Sequence, residues 1–318
     1  MPSITDLTRR FERRPLERPN ATYYLWRFAA NGVRAGCALV TPAVFTDTRA
    51  IARELTEQGI VVSPSDRFLS DAGRDALASA AAALRDASRG EAVRDILAGV
   101  AEHKGKKSFR VDLVKGAIRA SHPLLKVALD VKLLEIVAAY LGMWPALHSI
   151  GGWLNYPTDE PAALSQLWHH DPEDLKIIKT FIYLEDVGEE NGPFTYVPGT
   201  HPFGPNVPKA RTQNDKRRVA DEQFTEVFPP SMWRVCTGPA GTMILADTLG
   251  YHRGGKPNAG TRLLVTFTYT SGTPLVKHAI RLKDAPEWIS SAIQRFAVKQ
   301  LEVATAEPAK DRKNTAAM

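Results

Sequence analysis

The chain has 318 residues, 44% of them hydrophobic and 24% charged. That excludes a disordered or low-complexity protein and leaves room for a large core. A net charge of +6 and a pI near 9.3 would suit an anionic partner, but no run interleaves aromatic with basic residues, so a mildly basic soluble protein is expected rather than a nucleic-acid binder.

In chain order, the start "MPSITDLTRRFERRPLERP" lacks the apolar stretch of a secretory signal and carries Asp6, Glu12 and Glu17, unlike a transit peptide. No apolar run approaches the ~20 residues of a membrane span. Cys37 and Cys236 stand far apart, which argues against a disulfide framework or a thiolate zinc site and for a reducing, cytoplasmic home. The first 145 or so residues read as mostly helical. "TDTRAIARELTEQG" offers Thr46 or Asp47 as a cap and Gly59 as a stop. "GIVVSP" is a short apolar run expected to join the core as a strand. "SDAGRDALASAAAALRDAS" predicts an alanine-rich helix capped by Ser70. "GEAVRDILAGVAEH" continues the pattern, and "HPLLKVALDVKLLEIVAAYLGMW" predicts two more helices ending at Gly142.

After residue 145 the texture changes. "ALHSIGGWLNYP", "LKIIKTFIYLEDV", "PFTYVPGTH", "GTMILADT" and "TRLLVTFTYT" are short, rich in β-branched and aromatic residues, and bounded by Gly, Pro and Asn. Such strands build a sandwich, barrel or jelly roll. Residues 203–222 show no periodicity and are expected to be a long loop. The polar segment from residue 304 is expected to fray. The expected organisation is one domain over 1–303, helical over 45–142 with a jelly-roll core over 146–272, and a tail over 304–318.

The chemistry-bearing stretch is "QLWHHDPEDL", residues 166–175. In an extended chain side chains alternate faces. His169 and Asp171 then share a face, and His170 turns away with Trp168. A third ligand must come from elsewhere. His252 sits just past the strand "GTMILADT", where a ligand is well placed; His201 in "VPGTH" is the lesser candidate. Two histidines and a carboxylate make the facial triad of non-haem Fe(II) oxygenases. By itself, H-x-D-P is also a plain strand end running into a turn. Arg262 adds a second element. If its strand runs beside the metal, it aims inward with Leu264, Thr266 and Thr268, and a buried guanidinium needs an anion. The far carboxylate of 2-oxoglutarate would serve; a strand-end arginine paired with a surface acid is the other reading.

"WHHDPED", "KTFIYLEDVGEENGPFTYVPGTH", "GTMILADTLGYHRGG" and "GTRLLVTFTY", in that order, resemble the phytanoyl-CoA dioxygenase family over about 145–270, and "LTEQGIVVSPSDRFLS" is similar to its looser N-terminal region. The resemblance implies a mainly β protein with helices (α+β), its core a double-stranded β-helix of the jelly-roll, cupin-like kind. It implies His169, Asp171 and His252 as Fe(II) ligands, with O2 and 2-oxoglutarate as co-substrates. It implies Arg262 as the 2-oxoglutarate anchor, with Gln166 touching the same molecule. The serine that many members carry two residues after the distal histidine is Gly254 here, so another donor is needed; Lys179, Tyr183 and Thr195 are candidates. A small-molecule substrate is expected, without nucleic-acid or membrane partners. Its anionic character is suggested by Lys209, Arg211, Lys216, Arg217 and Arg218, against the plainer reading of a solvated charged loop; "HKGKKSFR", residues 103–110, has the same two readings. Two rivals stand: a cupin-like metal hydrolase or isomerase without 2-oxoglutarate, and a non-catalytic binding module on the same barrel.

Overall fold

Helical and period-two segments separate along the chain much as the patterning predicts, and they stack as layers. The computed structural model describes residues 21–99, 109–206, 218–278 and 280–303. Helical segments at Ala21–Tyr24, Leu25–Ala30 and Gly32–Val40 lead into the helix Thr48–Gln58. That helix stops at Gly59, whose φ of 74° is the left-handed conformation a helix end favours. Ser70 caps Asp71–Ser88 by accepting from the Gly73 amide at 3.2 Å. Pro123–Ala128 and Val131–Leu141 follow, and Asp130 caps the second by accepting from the Leu133 amide at 3.1 Å.

The major sheet has six strands: β1 (Ile60–Pro64), β2 (Arg110–Asp112), β3 (Ala146–Asn155), β4 (Ile178–Tyr183), β7 (Thr242–Ala246) and β9 (Arg262–Thr270), ordered β1-β7-β4-β9-β3-β2. The "GIVVSP" strand therefore joins the core as expected, antiparallel to β7. A three-stranded sheet, β5 (Phe194–Tyr196) between β6 (Arg234–Cys236) and β8 (His252–Gly254), lies opposite.

The major sheet's two faces are sorted by alternation. Ile178, Ile182, Leu263, Val265, Phe267 and Tyr269 pack backward onto the helices, among them Leu124, Leu133 and Val137. Phe181, Tyr183, Leu264, Ile244 and Ala246 point forward onto Phe194, Tyr196 and Cys236 of the small sheet. The result is a double-stranded β-helix with a helical layer behind it.

Asp174 ties the layers together. It is buried and accepts from the Trp26 indole N–H at 2.9 Å, the Leu175 amide at 2.8 Å and the Ser271 amide at 2.7 Å.

The structure departs from expectation in three places. The helix after Gly90 spans only Glu91–Leu97, with residues 100–108 outside the described residues. Within 203–222, expected to be loop throughout, Asp221 and Glu222 begin a helical turn, Asp221–Phe224; residues 207–217 lie outside the described residues, as does the expected tail 304–318. Past residue 272 come a small sheet of β10 (Arg281–Leu282) and β11 (Glu302–Val303) and a helix, Ala292–Ala297. Among the described residues no helix is long and apolar enough to cross a membrane.

Candidate metal centre and co-substrate site

Residues 168–169 extend the small sheet by single bridges. His169 pairs with His252 on one edge, and Trp168 pairs with Val219 on the other. The Asp171 amide donates to the Thr248 carbonyl at 2.7 Å. This pairing puts His169, Asp171 and His252 together, all buried, with one candidate ligand atom from each lying within 4.8 Å of the others. The imidazole Nε2 atoms stand 3.8 Å (His169) and 3.6 Å (His252) from the Asp171 carboxylate oxygens.

Each imidazole is locked by its own backbone. His169 Nδ1–H donates to the Leu167 carbonyl at 2.8 Å, and His252 Nδ1–H donates to the Gly250 carbonyl at 2.9 Å. That fixes the tautomer and leaves Nε2 with a free lone pair, as a metal ligand requires. Burial pushes the His252 pKa down to about 3, with His169 adding to the effect, and burial also lowers His169. Burial opposes ionisation of Asp171, but Lys179 and the two imidazoles outweigh it and hold the carboxyl well below its usual range. Neutral imidazoles and an ionised carboxylate are the donors ferrous iron takes.

Lys179, on the inner face of β4, donates to Asp171 Oδ2 at 2.5 Å and lies 3.8 Å from Glu173. Its amine is thus engaged on the cluster's carboxylate. Glu173, two residues past Asp171 on the same period-two spacing, is a site residue that the H-x-D pattern alone does not mark.

Arg262 opens β9 opposite Asn155 of β3. It is buried, and its only hydrogen bonds among the described residues are to Asn155 Oδ1 at 3.3 Å and to the Gly255 carbonyl at 3.4 Å; Nε has no partner. No carboxylate of the described residues pairs with it, so the surface-acid reading fails. Burial lowers its pKa, which is the mark of a cation short of an anion. A Cβ on Gly254 would come 3.3 Å from Arg262 Nη2, so the serine that many family members carry here would crowd the guanidinium. Gln166 is buried; its Oε1 accepts from the Ala163 amide at 3.0 Å and its Nε2 is unpartnered. Thr266, on the Arg262 face of β9, also buries a hydroxyl without a partner. These orphaned donors fit an anion lying between the triad and Arg262.

Thr195 is not brought to this site. Its register partner is Arg253, so it lies on the other face of β5 from His252, and its hydroxyl donates to the Pro193 carbonyl at 3.3 Å. Tyr183 is on the inner face, but its hydroxyl donates to the Cys236 carbonyl at 2.8 Å and accepts from the Phe194 amide at 3.0 Å. His170 turns away from the cluster and sets its ring edge-on to Tyr251, 6.1 Å between centroids. His201 is buried elsewhere and donates from Nε2 to the Thr56 carbonyl at 3.0 Å. Trp168 does not wall the site. On the outer face it stacks on Phe224 at 4.2 Å and donates to Asp221 at 2.9 Å, while Arg253 lies over its ring and pairs with Asp221. This outer clamp, too, was not evident in the sequence.

A buried cluster of two histidines and a carboxylate beside an unpaired arginine, inside a double-stranded β-helix, defines the non-haem Fe(II) oxygenase class. The family model described as phytanoyl-CoA dioxygenase (PhyH) matches residues 55–262, and the chain belongs to that family. It is accordingly an Fe(II)- and 2-oxoglutarate-dependent oxidoreductase. No curated protein matches the sequence. Among solved structures it is similar to the epimerase SnoN in complex with Fe3+, alpha ketoglutarate and nogalamycin RO, at 18% identity and TM-score 0.47, covering 82% of this chain and 96% of that one. It is also similar to EctD from S. alaskensis with 2-oxoglutarate and 5-hydroxyectoine, at 21% identity and TM-score 0.47, covering 74% and 80%. A third is HygX from Streptomyces hygroscopicus with nickel and 2-oxoglutarate, at 16% identity and TM-score 0.46, covering 76% and 92%.

Proposed function

We propose that His169 Nε2, His252 Nε2 and an Asp171 oxygen hold the ferrous ion, and that Arg262 holds the far carboxylate of 2-oxoglutarate. Asn155 orients the guanidinium from across the sheet. Gln166 Nε2 and Thr266 Oγ1 offer the remaining buried polar contacts. Lys179 keeps one Asp171 oxygen engaged, so the carboxylate presents the other to the metal. Phe194, packed between the two sheets, lies 5.5 Å from the His252 ring and walls the cluster on its core side. With iron, 2-oxoglutarate and dioxygen bound, the site would supply the oxidising power to attack a C–H bond of a small molecule, dioxygen giving one oxygen atom to the substrate and one to the succinate that leaves with CO2. Residues 1–303 act as one oxygenase domain, and the free thiols Cys37 and Cys236 favour the cytoplasm.

One observation carries this reading: beside a metal-binding cluster lies a buried arginine that no carboxylate of the described residues pairs with. A cupin-like hydrolase has no use for that arginine, and a binding module has no use for the triad. The test is anaerobic binding of 2-oxoglutarate to the Fe(II)-loaded protein, followed by succinate release when air is admitted with a metabolite library. Metal binding without any affinity for 2-oxoglutarate would return the hydrolase reading.

A further inference from the structure

Arg218 stands on the metal face, beside His169. The Trp168–Val219 bridge is antiparallel, with both backbone bonds made, at 2.9 and 2.8 Å. One step along each strand, His169 therefore faces Arg218 across the pair. Residues paired this way share a face. The neighbours agree: Trp168, Val219, Asp221 and Arg253 form the outer cluster, so by alternation the residues on either side of Val219, Arg218 and Ala220, turn to the other face. The row across this end of the small sheet is His252, His169, Arg218.

The other cations here have places of their own. Lys179 is on Asp171 and Glu173, Arg253 is on Asp221, and Arg262 faces the 2-oxoglutarate side from β9. Arg218 is exposed, with no ion pair to any acid among the described residues. It sits on the opposite side of His169 from His252, away from the strand that leads to Arg262. A guanidinium so placed offers a bidentate fork to a planar or tetrahedral oxyanion.

We propose that Arg218 is a substrate-binding residue: it takes a carboxylate or phosphate of the primary substrate and brings the carbon next to that anion over the metal. This rests on the function proposed above. It narrows the substrate class to small molecules carrying a negative group close to the oxidised carbon. It also separates one residue of the basic run from the other four, which lie outside the described residues.

The test uses the full chain loaded with Mn(II) and 2-oxoglutarate, without oxygen chemistry. Inorganic phosphate and acetate are the probes, read by paramagnetic relaxation of their 31P and 13C signals. Wild type should enhance relaxation of at least one probe, and which one responds distinguishes a phosphate site from a carboxylate site. Arg218→Gln should weaken that binding about tenfold or more, and Arg218→Lys should restore part of it. Mn(II) and 2-oxoglutarate affinities should match wild type in both variants. Equal relaxation in wild type and Arg218→Gln, or none in wild type, overturns the assignment. Failure of wild type to bind Mn(II) or 2-oxoglutarate sinks the proposed function itself, and this assignment with it.

Discussion

His169 and His252 exchange both backbone hydrogen bonds, each 2.9 Å long, and their rings stand 4.2 Å apart on the same face. The metal cluster is thus a cross-strand pair with a carboxylate added two residues further along one strand. Alanine at His169, Asp171 or His252 should each cut Fe(II) affinity severely, whereas His170→Ala should bind like wild type. An anaerobic Fe(II) titration of the four variants checks this. A His170→Ala loss as deep as that of His169→Ala would mean the alternation of faces has been misread.

Arg262→Ala should weaken 2-oxoglutarate far more than iron. Losing a charge-assisted bidentate partner costs on the order of 2–4 kcal/mol, or ~30- to 1000-fold in affinity. Arg262→Lys should recover little, because an ammonium cannot reproduce the planar fork. Calorimetric titration of both ligands separates the two effects; equal losses of metal and co-substrate would make Arg262 a structural residue.

His201 should make stability depend on pH. Burial pushes its pKa down to about 4, below the ~6.5 of a solvated histidine. The unfolded chain therefore binds the extra proton between these values. Stability contributed by the neutral, buried ring is present above pH ~6.5 and drains away as pH falls toward about 4, by roughly 3 kcal/mol for this group. Urea unfolding across that range should show the slope in wild type and a flatter curve for His201→Gln. Parallel curves would show that the loss arises elsewhere.

Trp168→Ala should destabilise the protein by about 3–5 kcal/mol, since it removes a fully buried indole. Trp168→Phe should cost less, mainly the bond to Asp221. Both should also loosen Fe(II), because Trp168 adjoins His169 and packs under Arg253, the neighbour of His252. Denaturant melts with parallel iron titrations read the two effects; a Trp168→Ala protein that melts like wild type would show that the outer cluster holds nothing.

What the sequence could show was local. The H-x-D spacing carried its own geometry, because alternation needs only the chain itself. Gly59, Ser70 and Gly142 marked helix ends by their own conformational chemistry. The strand Ile60–Pro64 was visible as an apolar run, but its place beside β7 was not. Thr195 went astray because which face it takes depends on its register against Arg253. The sequence offers Lys179 as a donor to 2-oxoglutarate, but only the fold shows its amine lying against Asp171. The clamp of Trp168, Asp221 and Arg253 joins residues from three separated stretches, and none of them is unusual alone. His252 and Arg262 became compelling only through the family resemblance, since a histidine or an arginine near a strand end is common.

The Asp174 carboxylate gathers an indole from the segment Leu25–Ala30, an amide from its own loop and an amide from just past β9. Asp171, the proposed iron ligand, lies three residues before it. The helical layer is therefore not a detachable cap. A shortened protein beginning after residue 26 would lose the tether that steadies the chain just beyond the metal. A jelly roll transplanted alone into another scaffold would inherit the ligands without the anchor that keeps them in place.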